Sequence, residues 1–403
     1  MNKKVRDHFP SLSRKHNKKE LIFLDGPAGT QVPKVVIDSI SSYYQKSNAN
    51  SHGQFITTQE TDKLIAATRI NVAKFLGAKG GHEISFGQNM TTLNFSLARA
   101  IGRTLRPGDE ILITQLDHEA NRGPWLSLQE LDITVREINL NPNGLLDYKD
   151  LERKLNERTK LVCIGWASNI TGTVNELKKV RKLTYKIGAK MLVDAVHYAA
   201  HISMDVRDLG CDYLLCSAYK FYGPHVGILY AKEGLLDQLP TDRLRTADQH
   251  APYSIETGTL NHAAIAGVNA AIDFISTFGK GKDQRTKLKS AMVNIARHEH
   301  QLAKKLYTGI KKIRGVKMIG PDFSSTERAP TLSFYTPKLT ATEICTALAK
   351  ENICAWDGHF YAIRATEILG YLDRGGVTRM GISLYTTTDE IARTIKVLNK
   401  ILK

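Results

Sequence analysis

Short apolar runs, four to six residues long, alternate with longer stretches of helical spacing through the first 230 positions. The runs are Glu83–Phe86, Glu110–Thr114, Thr134–Ile138, Leu161–Trp166, Lys190–Val193, Tyr213–Cys216 and Gly227–Tyr230. Between them, Thr91–Ile101, Asp147–Leu155 and Val174–Ile187 read as helices. Strand and helix in alternation leave few solutions, and the one expected is an α/β domain with a mainly parallel sheet.

The character changes near residue 285. Ile295, Leu302, Leu306, Ile310 and Ile313 recur at helical spacing and predict a long amphipathic helix. Expected strands at Gly315–Ile319, Thr331–Tyr335, Ile353–Ala355 and Val377–Ser383 are interleaved with helices at Ala341–Glu351 and Asp389–Leu402. That order suggests a smaller α+β domain. The expected division is 20–285 for a large domain and 286–403 for a small C-terminal one, with 1–19 packed on the latter or on the large domain.

Lys and Arg number 56 against 40 Asp and Glu, a net charge of +16. The basic residues are scattered, and no run reaches the five or six like charges of a binding tail, so no nucleic-acid partner is expected. Five cysteines without CxxC spacing argue against a disulfide framework or a zinc ribbon, and no metal site is expected. His298-Glu299-His300 lacks the i, i+4 spacing of a helical zinc site. Met1 to Glu20 is basic without a continuous apolar core, so no secretory signal is expected. No stretch approaches 18 uncharged apolar residues, so no membrane span is expected. A reducing cytosol fits these features.

Candidate chemistry sits at the ends of the apolar runs. Tyr213 to Cys216 leads into Ser217-Ala218-Tyr219-Lys220 and a Gly223-Pro224 turn. A lysine at the mouth of a buried strand is partly desolvated, which frees its amine for attack on a carbonyl. On its own, the same lysine is equally readable as a snorkelling surface residue. Asp194 ends the run Met191-Leu192-Val193, where open α/β sheets bind ligands, although a strand-end aspartate is often a helix cap. Gly87-Gln88-Asn89-Met90-Thr91-Thr92 opens a helix, and free N–H groups there make an anion site or an ordinary cap. His118 follows the run Glu110–Thr114, where a histidine stacks on a planar ligand, shuttles protons or is merely structural.

Together these pieces resemble pyridoxal-phosphate enzymes of the aminotransferase class V type, and within it the cysteine desulfurase-like group. The resemblance spans nearly the whole chain, from Phe23-Leu24-Asp25-Gly26-Pro27-Ala28-Gly29-Thr30 through Asn48-Ala49-Asn50-Ser51-His52 to Arg379-Met380-Gly381-Ile382-Ser383. It implies the aminotransferase-type fold (fold type I), with a mainly parallel large domain and a small C-terminal domain. It implies pyridoxal 5'-phosphate as cofactor, with Lys220 as its Schiff-base lysine and Asp194 paired to the pyridine nitrogen. His118 would stack on the ring, and Asn169 and His197 would neighbour it. Thr91, Thr92, Ser217 and Tyr219 would serve the phosphate. Arg379 would clamp a substrate carboxylate, with Ala28 and Asn50 beside the substrate. Glu256-Thr257-Gly258-Thr259-Leu260-Asn261 resembles the segment that crosses to a partner subunit, so Thr259 would touch the neighbour's phosphate in a homodimer with shared active sites.

Two departures stand out. Tyr219 occupies the place of a common histidine before the lysine. The desulfurase pattern Arg, one residue, Gly, two residues, Cys reads Trp356-Asp357-Gly358-His359-Phe360-Tyr361 here. Tyrosine carries no persulfide, and Gly320–Pro337, where the other desulfurase type keeps its cysteine, contains none. Cys354 is the remaining thiol to weigh. His359 and Tyr361 become acid–base groups, stacking partners for a larger substrate, or mere loop lining. The expectation is an enzyme acting on an α-amino acid, by desulfuration with an external sulfur acceptor, by C–S lyase chemistry, by transamination or by epimerisation. A cofactor-binding protein without turnover is the alternative.

Overall fold

The structure, a computed structural model, describes residues 3–324 and 327–403. Seven strands form the large sheet: β1 (Ile84–Gly87), β2 (Glu110–Thr114), β3 (Thr134–Ile138), β4 (Thr159–Gly165), β5 (Lys190–Asp194), β6 (Tyr213–Ser217) and β7 (Gly227–Ala231). Their order is β1-β7-β6-β5-β4-β2-β3. The block β6-β5-β4-β2-β3 is parallel throughout, and β7 pairs antiparallel with both β6 and β1. The short Ala218–Val226 connection explains that reversal, because a parallel return needs a crossover of a dozen residues or more. Strands β2, β6 and β7 are buried at every position. Helices cover both faces of such a sheet, so its strands read as continuous apolar runs.

The chain's second sheet is antiparallel, ordered β8-β9-β11-β10, from β8 (Lys317–Ile319), β9 (Thr331–Tyr335), β10 (Trp356–Gly358) and β11 (Val377–Gly381). It packs with the helices Ala341–Lys350 and Thr388–Ile401 around its own apolar cluster, which includes Leu332, Phe334, Leu348, Ile391 and Leu398.

The helix Gln284–Lys311 serves both cores. Leu288, Ala291, Met292 and Ile295 belong to the core of the large sheet, and Leu302, Ala303, Leu306 and Ile310 to that of the small one. The partner core therefore changes between Ile295 and Leu302, inside one rigid helix.

The opening segment bridges both units. Phe9 lies edge-on to Tyr222, Phe274 and Tyr385, with ring centroids 5.0–5.8 Å away, and Arg6 pairs with Glu390 of the last helix at 2.9 Å. Ile22 and Leu24 are buried in the small core, where Ile22–Phe23 pairs with Ile353–Cys354.

Candidate active site

Strand ends carry the site. The residues that follow β1, β2, β4, β5 and β6 converge on one cavity of about 890 Å³ at the C-terminal edge of the parallel block. Open α/β sheets place ligands at that edge. Lys220, Asp194, His118, Asn169, His197, Ser217, Tyr219, Thr91 and Ala28 all line it. Arg379, His359 and Tyr361 reach it from the small sheet and the loop after β10.

Lys220 is buried and donates to Pro27 O, and to Ala28 O at 3.1 Å. Burial pulls its amine down to about 7, the Arg379 charge adds to the effect, and Asp194 opposes it. Asp194 accepts the Val196 N–H at 2.9 Å through Oδ1, and among the described residues no protein donor reaches its Oδ2. Burial raises its carboxyl to about 7, against the Val196 hydrogen bond and with help from the nearby Asp117 charge. A half-satisfied buried carboxyl facing a cavity invites a cationic N–H donor.

His118 Nδ1 accepts the Ala120 N–H at 3.0 Å. Burial, then Lys220 and Arg379, push the ring down to about 4, so it is neutral near pH 7. The Tyr361 ring stacks on it at 5.4 Å, with an interplanar angle of 29°. Met90–Gly102 begins at the cavity. Its cap, Asn89, accepts the Thr92 N–H at 2.9 Å, and Ser217 Oγ accepts the Met90 N–H at 3.2 Å. Among the described residues that leaves the Thr91 N–H and hydroxyl for an anion.

Arg379 lies on β11. Its Nη1 donates to Asn169 O at 3.0 Å, and the Phe360 ring sits 3.9 Å from the guanidinium carbon. Asn169 Nδ2 donates to Phe360 O at 2.9 Å. Burial lowers the guanidinium to about 9, and it stays charged near pH 7. His197 lines the cavity with its Nε2 engaged by Thr331 Oγ1 at 2.8 Å. Tyr219 stacks on His225 at 4.6 Å, and Lys220 Nζ lies 5.0 Å from the Tyr219 ring centre.

Three expected residues lie outside this cavity. Thr92 is exposed and its hydroxyl closes the capping box with Asn89. Asn50 and Thr259 are exposed on neighbouring segments, joined where Ala49 O meets the His262 ring at 3.2 Å. Cys354 pairs with Phe23 in the short parallel strand and does not line the cavity. Burial and the nearby Asp25 raise its thiol to about 11, so little of it is thiolate near pH 7.

Sequence reasoning missed Asp117, Phe360 and Gly227. Asp117 is buried under the site and accepts from Gly165 N and Asn121 Nδ2, each at 2.9 Å. A Cβ on Gly227 would lie 2.3 Å from Asn89 C and 2.7 Å from Met90 N, so glycine lets β7 pass under the helix start. Neither role leaves a local signature in the sequence.

The family profile described as Aminotransferase class-V matches residues 22–394. A cysteine desulfurase from Serratia proteamaculans is 30% identical over 416 residues, covering 99% of this chain and 98% of its own length. One from Yersinia pseudotuberculosis is 31% identical over 418 residues, with 99% and 98% covered. Among solved structures, the apo cysteine desulfurase of Thermococcus onnurineus NA1 superposes with a TM-score of 0.88 at 27% identity, covering 99% of this chain and 97% of that one. An Escherichia coli cysteine desulfurase in an S-sulfonic acid form gives 0.86 at 25% identity, covering 99% and 98%.

Proposed function

Because the chain belongs to the class-V aminotransferase family, whose enzymes depend on pyridoxal 5'-phosphate, we propose that it binds this cofactor and acts on an α-amino acid without forming an enzyme persulfide. The observation that carries the reading is Lys220: a buried amine held near neutrality inside the cavity, between a free carboxyl oxygen of Asp194 and the charged Arg379.

The donor set fits the cofactor. The Thr91 N–H and hydroxyl, with the Ser217 hydroxyl, would hold the phosphate. Asp194 Oδ2 would accept from the pyridine N–H, and the neutral His118 ring would cover one face. Lys220 would hold the aldehyde carbon. Pyridoxal phosphate, when bound, supplies an electron sink for the bond broken next to the substrate's amine.

The chain's own groups do the rest. Arg379 has Nη1 committed to Asn169 O, which leaves its other edge for a bidentate grip on the substrate carboxylate. Lys220 carries the proton at the substrate's α-carbon, for which a pKa near the working pH is best suited. Tyr361 and Phe360 wall the site from solvent where a sulfur-accepting cysteine would otherwise stand.

Exposed Asn50 and Thr259, beside the exposed Phe55 and Ile56, support a homodimer in which each copy completes the other's site. Among the described residues no helix is long and apolar enough to cross a membrane, and the five cysteines are free, which suits a reducing cytosol.

The test uses purified, cofactor-loaded protein with L-cysteine and a reductant, quantifying alanine, pyruvate and sulfide together. No alanine is expected. Pyruvate with equal sulfide and ammonia would fit β-elimination, in which the thiol simply leaves. Alanine formed in equal amount with sulfide, and lost in Cys354→Ala, would show an enzyme persulfide and overturn the proposal.

A further inference from the structure

Three of the chain's exposed large apolar residues line this one cavity: Phe95, Trp356 and Tyr361, which are 38%, 50% and 69% exposed. Exposed apolar surface concentrated at a concave site marks recognition. Register explains where Trp356 points. It sits directly opposite Arg379 in the antiparallel pairing of β10 with β11, so the two side chains leave the same face of the sheet from Cβ atoms about 4.5–5.5 Å apart.

Arg379 is itself fixed, by Asn169 O on one side and the Phe360 ring on the other. A carboxylate held on its free edge therefore places the α-carbon, and the side chain beyond it, next to Trp356. Two carboxylates stand at the rim: Glu119, which pairs with Arg122 at 3.0 Å, and Asp357, which accepts from Thr342 at 2.7 Å. An anionic side chain would meet like charge there and be disfavoured.

We propose that this mouth selects α-amino acids with a large apolar or aromatic side chain, seated on Trp356 with Phe95 and Tyr361 around it. The proposal rests on the reading above only in taking Arg379 as the carboxylate partner.

The experiment measures equilibrium binding of two unreactive probes, 3-phenylpropionate and propionate, by calorimetry on the cofactor-loaded and the cofactor-free protein. Phenylpropionate is expected to bind at least tenfold more tightly, the scale at which a hydrophobic pocket discriminates apolar groups. Trp356→Ala should reduce that preference at least fivefold, and Trp356→Phe should retain it. Arg379→Ala should weaken both probes alike. Equal binding of the two probes, or an unchanged preference in Trp356→Ala, overturns the proposal. So does a Trp356→Ala protein that loses only its dimeric state, because the aromatic residues would then be interface. Failure of pyridoxal phosphate to bind would sink the earlier reading instead, and the probes on the cofactor-free protein would still decide this one.

Discussion

The titration of Lys220 gives the sharpest test of the site. Burial and the Arg379 charge hold its amine at about 7 rather than 10.5. That difference corresponds to on the order of 5 kcal/mol of lost solvation of the charged form. At pH 7.5 about three-quarters of the amine is then neutral, against about a thousandth for an ordinary lysine. The assay captures Lys220 in cofactor-free protein with a small aromatic aldehyde and borohydride, and reads the labelled residue by mass spectrometry across pH 5–10. The rate should climb with pH and level off just above 7. Arg379→Gln removes a charge that lowers the amine, so its midpoint should rise. Asp194→Asn removes a charge that raises it, so its midpoint should fall. A rate still rising about tenfold per pH unit at pH 9 would refute the argument, as would the reverse order of the variants. A stability consequence follows with a definite sign. Between pH 7 and 10.5 the unfolded chain binds a proton that the folded one does not, so this group makes stability rise with pH in that window. Lys220→Met should abolish the rise, as read from urea midpoints.

Arg379→Ala should raise the KM for amino acids by about 10–100-fold with a smaller change in kcat, the scale of a charge-assisted hydrogen bond. An unchanged KM would mean that the carboxylate is held elsewhere. Gly227→Ala should cut pyridoxal phosphate affinity by at least about tenfold, since the new Cβ must displace Asn89 and Met90 at the helix start; fluorescence titration would read this, and unchanged affinity would show that the helix start is not the phosphate site. Glu299, fully buried on the long helix and bonded to His201 at 2.8 Å, should cost about 3–5 kcal/mol when changed to Ala. Denaturant unfolding would measure it, and a loss under about 1 kcal/mol would show that the pair contributes nothing net.

Much of this site was legible because its residues sit at strand ends. Apolar runs that terminate in Asp194, or lead directly into Lys220, reveal both the strand and the edge where ligands bind. Arg379 was visible for a different reason, through the resemblance that its segment carries. Register was not legible. That Trp356 faces Arg379 depends on pairing between segments some twenty residues apart, and no local periodicity encodes it. Thr92 shows how local geometry competes with a binding role. Its type and position fit an anion site, but a hydroxyl three residues after an asparagine cap is drawn into the capping box. The helix Gln284–Lys311 has one continuous apolar stripe, so its spacing could not show that the stripe changes partner core between Ile295 and Leu302.

The loop that carries Phe360 and Tyr361 is held in place by its surroundings. Phe360 and Tyr361 have φ of +53° and +59°, a left-handed conformation costing each residue roughly 1–2 kcal/mol. Such strain persists only where several contacts fix it. Here Asn169 Nδ2 holds Phe360 O at 2.9 Å and the Glu119 N–H holds Tyr361 O at 2.7 Å. The two side chains then cover Arg379 and His118 respectively. The Glu119 end is itself braced, since Arg122 pairs with Glu119 and Glu137, and Glu137 with Arg364 of the helix that follows the loop. A backbone fixed this way turns whichever side chain occupies position 361 against the neutral His118 ring. A phenol in that place is no sulfur nucleophile; it sets an aromatic wall beside the ring, on a frame fixed by Asn169, Glu119 and Arg122 rather than by the side chain itself.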